Sequence, residues 1–519
     1  MADSYLGTSP LLKPSSLYTF PFTFSPFSGS PRSLSFSFMA SNCSSARHCN
    51  CSPTSSSTTH QPSILVFSGG TAFNGVVEEL KNLTTRVAHV LPVSDDGGST
   101  AEIVRVLGMV KSSSPFYSVS FLFGTLYLCS LNCYVNGFVP LFSFCIILYA
   151  CFLATRMKDR KVDREYLGGP AVGDIRSRCL RLSDQSTSEA RAVRILLGHR
   201  LPLDPRRAKS EWYEIVEGSH ELWQDVSKPY RETIRAFLAY FQDQILRRSD
   251  ERFCFSNGSI GNFFFAGARI FFQSLDAAIF LFSRVSEIPA ESFVLPVIST
   301  NERLTLGCEL LDGTVIRGQN EISHPTHGSM QPIDKDASSA PALPSRIKRI
   351  FYMSSEGSNL LHEVFPTVNP TVLEQLRSVD CIVFGMGSLF TSICPSLVLL
   401  GVGETISSQS CPKVLLLNGT HDRETSGLSA SCFVTATTDA LNRTYGDPHN
   451  CLKNPPNKYV NTLLVPKNGQ IPVDIESLAS QGIFNVVTVD SFHDSKLGVL
   501  FDPKSLIQAL SNLLTDERA

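Results

Sequence analysis

The sequence predicts an α/β fold, a parallel sheet flanked by helices with an additional helical block, and three observations predict it. Short runs rich in β-branched and apolar residues end in glycine and pass at once into helical spacing, as SILVFSGG does into TAFNGVVEELKNL. The turn-into-helix design recurs far along the chain, in DCIVFGMG before SLFTSICPSL and in SNGSIGNFFFAGARIFFQSL. From about Asp184 to Arg252 the chain is helical in character, with long amphipathic stretches such as EWYEIVEGSHELWQDV and YRETIRAFLAYFQDQILRR.

The elements follow in order. The first 60 residues are crowded with Ser, Thr, Pro and Phe, hold Asp3 as their only acid and carry a few cations such as Lys13, Arg32 and Arg47. That composition reads as a chloroplast transit peptide, with a merely disordered tail on a cytoplasmic protein as the alternative. Order begins at Ser63 with a strand, and Phe73, Val76, Val77 and Leu80 mark the helix after it. RVAHVLPVSDD is the next strand, and Ser99 or Thr100 suits the cap of the helix AEIVRVL. The helical block over 184–252 covers the sheet or forms a lid. FVLPVIST, RLTLGCEL and TVIRGQNEIS read as strands, and residues 323–346 as a flexible polar loop. IKRIFYMS resumes the sheet pattern, NPTVLEQLRSV is a helix, and DCIVFGMG and KVLLLNGT are further strands.

Composition excludes several function classes. Lys+Arg number 45 against 47 Asp+Glu in 519 residues, a net charge of -2, so no basic field announces a nucleic-acid partner. The 15 cysteines are scattered without the paired spacing of a zinc site, which points to a reduced compartment.

Strand-to-helix turns use glycine where backbone approaches an anion, and the helix amino terminus adds free N–H groups and a favourable dipole. Gly69-Gly70-Thr71 and Gly385-Met386-Gly387-Ser388 fit that description, as do Asn257, Gly258, Gly261 and Asn262 near a helix start. GGTAFN lacks the GxGxxG spacing of a dinucleotide fold and the GK[ST] ending of a P-loop, so neither flavin nor NAD is expected as a bound cofactor. Asp95 and Asp96, followed by Gly97 and Gly98, stand at the carboxyl end of a strand. They suit a hard cation such as Mg²⁺, the hydroxyls of a ribose, or simple helix capping. Asp174 and Arg176 in GDIRSR add an acid and a guanidinium suited to bidentate phosphate binding, or a surface ion pair.

An oily stretch interrupts this pattern. Phe116 to Thr155 contains no Asp, Glu, Lys, Arg or His, enough by hydropathy for one or two membrane spans of about 20 residues each. Residues 109–167 read as an insert from a retained intron, since excision rejoins VRVLG to GPAVGDIR. If translated, the piece is a two-span hairpin with its exit marked by Arg156, Lys158, Arg160 and Lys161, and only then is a membrane a partner.

The ordered set GGT, SDDGGS, GPAVGDIR, NGSIGN, VFGMGSLFTSICPSL and NGTHDRETSG resembles the family of CofD-like 2-phospholactate transferases and YvcK-like gluconeogenesis factors, from Ser63 to the end apart from the insert. The resemblance implies a Rossmann-like domain over 61–519 with a helical subdomain. It also implies a phosphorylated, nucleotide-type or nucleotide-sugar ligand, Mg²⁺ held by Asp95 and Asp96, and transfer of a phospholactyl-type group from a diphosphate donor to an acceptor hydroxyl. A non-catalytic regulator of carbon metabolism that binds a UDP-sugar is the alternative, and a homodimer is a possible assembly. Carried over by motif, Gly69, Gly70, Thr71 and Asn74 lie at the ligand, with Asp95, Asp96, Asp174 and Arg176 catalytic. Asn257, Asn262, Gly387, Ser388, Thr391, Ser392, Glu424 and Thr425 line the same cleft. Two positions depart from the family pattern: Ala72 stands where GGTG has its last glycine, and Met386 where PGS has proline.

Overall fold

The computed structural model describes residues 61–70, 72–94, 102–103, 169–247, 252–324, 342–354, 361–495 and 497–516. The leader, the insert 109–167, the Ser99 or Thr100 cap, most of the loop 323–346 and the expectations for Thr71, Asp95, Asp96, Gly97 and Gly98 lie outside the described residues.

Seven parallel strands form the central sheet. β1 (Ile64–Phe67), β2 (Val87–Leu91) and β3 (Phe293–Pro296) run outward in one direction, while β8 (Cys381–Phe384), β9 (Lys413–Leu416), β10 (Thr462–Pro466) and β11 (Asn485–Val489) run outward in the other. The spatial order is therefore β11-β10-β9-β8-β1-β2-β3, a doubly wound, Rossmann-like sheet whose direction of growth reverses between β1 and β8. Both strands at the reversal are short continuous apolar runs, ILVF and CIVF, as sheets covered on both faces require, and every residue in them is buried. Phe67 and Phe384 are cross-strand partners whose rings stack with centroids 5.8 Å apart.

Helices cover the faces. α1 (Val77–Leu83) follows a 3₁₀ turn over Ala72–Gly75, so the helix expected from Phe73 onward begins later than its apolar spacing suggested. α2 (Gly173–Leu182) returns the chain after the undescribed 104–168, and Ala171 N–H donates to the Val93 carbonyl at 3.1 Å. The chain thus rejoins the sheet edge beside the point at which β2 left it. Between 184 and 252 lie α3 (Ser188–Gly198), α4 (Pro205–Glu217) and α5 (Lys228–Leu246). The amphipathic stretch EWYEIVEGSHELWQDV is not one helix. Asp204 caps α4 at its start, and Gly218, at φ 84°, ends it by turning left-handed, which glycine does without steric cost.

α6 (Ile260–Phe272) is apolar on almost all sides because it is buried on almost all sides, Ile260 through Ile270 being inaccessible. It packs on α5 and on α7 (Leu275–Val285). Trp212 of α4 stands fully buried among Phe241, Phe255 and Phe263, with centroids 6.0, 5.4 and 5.0 Å away, and its indole N–H donates to Gln242 Oε1 at 2.5 Å.

RLTLGCEL, TVIRGQNEIS and IKRIFYMS do supply strands, but IKRIFYMS does not resume the central sheet. β4 (Thr305–Leu310), β5 (Val315–Arg317), β6 (Ile347–Ser354) and β7 (His362–Val364) form a separate antiparallel sheet in the order β5-β4-β6-β7. Within TVIRGQNEIS only Val315–Arg317 is a strand. Gly318 adopts φ 96° and QNEIS coils into α8 (Gln319–Ser323). α9 (Pro370–Leu376), a π-helical turn (Leu389–Ile393) running into α10 (Cys394–Leu397), α11 (Val402–Ser408), α12 (Ala430–Asn442), α13 (Ile475–Ser480), the hairpin β12 (Ser491–Asp494) with β13 (Gly498–Phe501), and α14 (Pro503–Asp516) complete the chain. No single helix among the described residues is long and apolar enough to cross a membrane.

Trp212→Ala is expected to remove about 3–5 kcal/mol of stability, because the site is closed on all sides and cannot collapse. Urea denaturation followed by the remaining tryptophan fluorescence measures it; a loss under about 1 kcal/mol would mean the aromatic cluster is loosely packed.

Candidate functional site

In a doubly wound sheet the loops beyond two strands that grow apart leave a crevice, and here those loops are the two glycine turns. Gly69 and Gly70 follow β1, and Gly385, Met386 and Gly387 follow β8. The turns interlock. Gly385 N–H donates to the Phe67 carbonyl at 2.8 Å, and a Cβ on Gly69 would lie 2.8 Å from the Ser392 hydroxyl. Gly387 adopts φ 143°, and the Asn418 carboxamide, just beyond β9, holds it from both sides, accepting from its N–H at 3.0 Å and donating to its carbonyl at 2.8 Å. Ala72, at the position of the absent glycine, is half-buried and opens the 3₁₀ turn that follows β1.

The segment GDIRSR supplies the charge. α2 starts at Gly173 with no side-chain cap, and Asp174 in its first turn lies against the β1 turn, so that a Cβ on Gly70 would fall 2.0 Å from Asp174 Oδ1. Gly70 is therefore glycine for close approach. Arg176 is buried, donates from Nη1 to the Ser259 hydroxyl at 2.6 Å, and leaves Nε without a hydrogen-bond partner. Burial, and then the like charge of Arg200, lower its pKa to about 10 against the opposing pull of Asp174. A guanidinium so placed stays charged at neutral pH and favours an incoming anion.

The amino end of α6 completes the wall. Asn257 is exposed at φ 54°, Gly258 packs under Phe263, and Ser259 flanks a helix start that carries no side-chain cap. Gly261 lets Arg176 pass, because a Cβ there would meet Arg176 Cδ at 2.8 Å and the Leu197 carbonyl at 2.5 Å. Asn262 is buried next to it.

Four residues expected at the ligand serve the scaffold with their side chains. Asn74 donates to the Ser177 hydroxyl at 2.8 Å and accepts from Arg178 Nε at 3.1 Å. Glu424 caps the π-helical turn, accepting from Phe390 N–H at 3.0 Å, Thr391 N–H at 3.1 Å and the Thr391 hydroxyl at 2.5 Å. Thr425 exchanges hydrogen bonds with Asp422. Gly387, Ser388 and Ser392 remain partly accessible at the turn itself.

Sequence reasoning missed Arg178 and His89. The Arg178 guanidinium is wholly buried, and its three donor nitrogens reach Asn74 Oδ1, His89 Nδ1 at 2.8 Å and the Gly69 carbonyl at 2.9 Å. It ties the first glycine turn to β2. Because the arginine donates, His89 accepts at Nδ1 and carries its proton on Nε2; burial, then the Arg178 charge, hold the ring neutral with its pKa well below 6.5. The one available signal was the spacing of Arg178 four residues after Asp174, which places both on one face of α2.

With that geometry in view, the class is a doubly wound α/β protein with a crevice between two glycine turns at its switch point. The family model for 2-phospho-L-lactate transferase CofD matches residues 161–501, and the chain belongs to that family. An uncharacterised protein of Saccharomyces cerevisiae is 30% identical over 442 residues, covering 73% of this chain and 83% of the yeast protein. The gluconeogenesis factor of Halalkalibacterium halodurans is 30% identical over 185 residues, covering 36% of this chain and 48% of that protein. A crystal structure of a UPF0052 family member from Bacillus halodurans superposes with a TM-score of 0.51 at 19% identity, over 86% of this chain and 99% of that one, and shares the fold.

Arg178→Met is expected to cost about 3 kcal/mol or more, since a buried carbonyl and a buried imidazole lose a charged donor together. Chemical denaturation of both proteins measures it; equal midpoints would show the clamp to be dispensable. Glu424 adds a pH signature. Burial, and then Asp422, raise its pKa from 4.5 to about 8, against the pull of Thr391 and two backbone N–H groups. The folded state therefore holds this proton more tightly than the unfolded chain, so its stabilisation is complete below about pH 4.5 and is lost as pH rises through about 8. Glu424→Gln should flatten that fall when unfolding midpoints are compared across the range, and an unchanged slope would place the ionisation elsewhere.

Proposed function

We propose that this chain binds a phosphorylated, nucleotide-type ligand in the β1/β8 crevice and, with Mg²⁺, moves a phospholactyl-type group from a diphosphate donor to an acceptor hydroxyl. One observation carries the reading: Arg176 is buried at the sheet's switch point with an unused Nε, beside two interlocked glycine turns and two helix starts without side-chain caps. That is a cradle for an anion with several oxygens. Such transfer needs chiefly positioning and charge neutralisation, which an obvious protein nucleophile would not supply.

In this reading the glycine-turn N–H groups and Arg176 bind and orient the diphosphate, while Arg178 keeps the Gly69 turn in place. Asp95 and Asp96 are the proposed metal ligands, and Asp174, a hard oxygen donor packed on Gly70, suits the same ion. When bound, Mg²⁺ neutralises developing charge on the phosphate oxygens. The acceptor hydroxyl oxygen forms its bond to phosphorus as the bridging P–O bond of the diphosphate breaks; the departing phosphate monoester takes that electron pair, and the hydroxyl proton passes to solvent.

A second reading, a sugar-nucleotide-binding regulator, is favoured by the name gluconeogenesis factor carried by several bacterial relatives. The two share the crevice and differ in turnover. Titration calorimetry of the full chain with UDP-sugars and guanosine diphosphate, with and without Mg²⁺, is expected to give saturable binding that Arg176→Gln weakens about tenfold or more. Mg²⁺-dependent product from a diphosphate donor and a deazaflavin acceptor, abolished by Asp95→Asn with Asp96→Asn, supports the transferase; binding without product supports the regulator. No heat with any nucleotide would sink both. Chloroplast localisation belongs to the same proposal, and fusing residues 1–60 to a fluorescent protein tests it by where the fluorescence collects.

A further inference from the structure

The wall at the amino end of α6 carries a second guanidinium that neither the glycine turns nor GDIRSR supplies. Arg200, two residues beyond α3, pairs with Ser259 in an isolated antiparallel bridge. Ile260 N–H donates to the His199 carbonyl at 3.1 Å and Leu201 N–H to the Gly258 carbonyl at 2.9 Å, so the two bonds flank Arg200 and Ser259 without joining them. Residues opposed in that way have Cα atoms about 4.5 Å apart and side chains on one face. The Arg200 side chain therefore leaves on the face that carries the Ser259 hydroxyl, the acceptor of Arg176 Nη1.

Two cations thus close on one short loop. Arg200 Nη1 donates to the Asn257 carbonyl at 3.2 Å, and Arg176 Nη1 to Ser259 at 2.6 Å. Among the described residues neither guanidinium is ion-paired with a carboxylate. Asp174 attracts Arg176 without pairing with it, and Glu211 is taken by the imidazole of His199 at 2.5 Å. Like charges set side by side cost free energy, which an anion bridging them offsets. Both have donors to give: Arg176 keeps its buried Nε unpartnered, and Arg200 is exposed with one hydrogen bond. α6, a helix of 13 residues, starts directly after Ser259 with no side-chain cap.

We propose that Arg176 and Arg200 are the two jaws of one clamp at the start of α6, that the clamp takes the distal phosphate of a nucleoside diphosphate, and that Arg200 makes the crevice prefer a diphosphate to the matching monophosphate. This rests on the nucleotide reading above and adds to it a specificity-determining residue. Asp174 packs on the Gly70 turn, whereas Arg176, two residues on and hence on another side of α2, reaches Ser259. The β1 turn and the clamp are therefore separate cradles flanking one helix start. A diphosphate can occupy both together, and a monophosphate only one at a time. Two planar forks also suit an oxygen-rich terminal group, which each can meet with paired N–H donors.

The test is titration calorimetry of the full chain with guanosine and uridine diphosphates against their monophosphates, without added Mg²⁺, so that the metal's own preference for a diphosphate does not enter. The unmodified protein is expected to bind the diphosphate about tenfold more tightly or better. Arg200→Gln should bring the two within about twofold by weakening the diphosphate alone, and Arg200→Lys, which keeps the charge but not the fork, should fall between. Arg377→Gln removes an exposed cation beyond the amino end of β8, at the opposite edge of the sheet, and should leave the preference unchanged. Thermal shifts with inorganic pyrophosphate and orthophosphate repeat the comparison without a nucleoside. Stabilisation by pyrophosphate that Arg200→Gln removes supports the clamp even if no nucleotide gives heat, a result that would strike the nucleotide reading alone. Equal affinity for di- and monophosphates, an Arg200→Gln variant that weakens both alike, or a pyrophosphate shift indifferent to Arg200 would overturn the clamp and leave the nucleotide reading standing.

Discussion

A guanidinium with no solvent exposure holds this structure's functional edge together. Arg178 spends its nitrogens on a carbonyl of the β1 turn, a carboxamide of the 3₁₀ turn and an imidazole of β2, so three neighbouring segments lying 89 to 109 residues before it in the chain share one charged donor. Burying that charge costs free energy unless each nitrogen is satisfied, and removing any partner exposes the full penalty. The network therefore favours one geometry of the Gly69 turn. Packing below it is equally restrictive, with Phe73 lying 5.1 Å beneath the guanidinium.

The same logic repeats across the switch point. Asn418 pins Gly387 from the β9 side, and Glu424 caps the π-helical turn from the loop beyond it. Each turn that approaches the crevice is thus held by a polar side chain from elsewhere in the chain rather than by its own residues. Rigid turns of this kind orient N–H groups before a ligand arrives, which lowers the cost of binding a multiply charged anion. Arg176 is the exception, a buried cation with an unspent donor, and that contrast is why it reads as a ligand contact and Arg178 as support.

The long interruption after β2 bears on this edge without opening it among the described residues. Ala171 N–H donates to the Val93 carbonyl, so the chain re-enters beside the end of β2, and α2 delivers GDIRSR to the crevice.

The sequence by itself determined the strand–turn–helix units, since apolar runs of four or five residues ending in glycine admit few other local structures, and it determined the family through the ordered motifs. It also located Gly69, Gly70 and the 385–388 turn at strand ends, where the α/β order gathers ligands. Tertiary structure decided what no local pattern encodes. IKRIFYMS and RLTLGCEL look like strands of the main sheet, yet partner choice depends on which edges are free, and they pair antiparallel in a sheet of their own. Asn74, Glu424 and Thr425 carry the polar groups of ligand residues, yet whether such a group faces a cleft or a neighbouring backbone is settled by packing between segments up to a hundred residues apart. Hydrophobic period fixes what an element is; only the assembled core fixes which of its polar atoms are left over for a ligand.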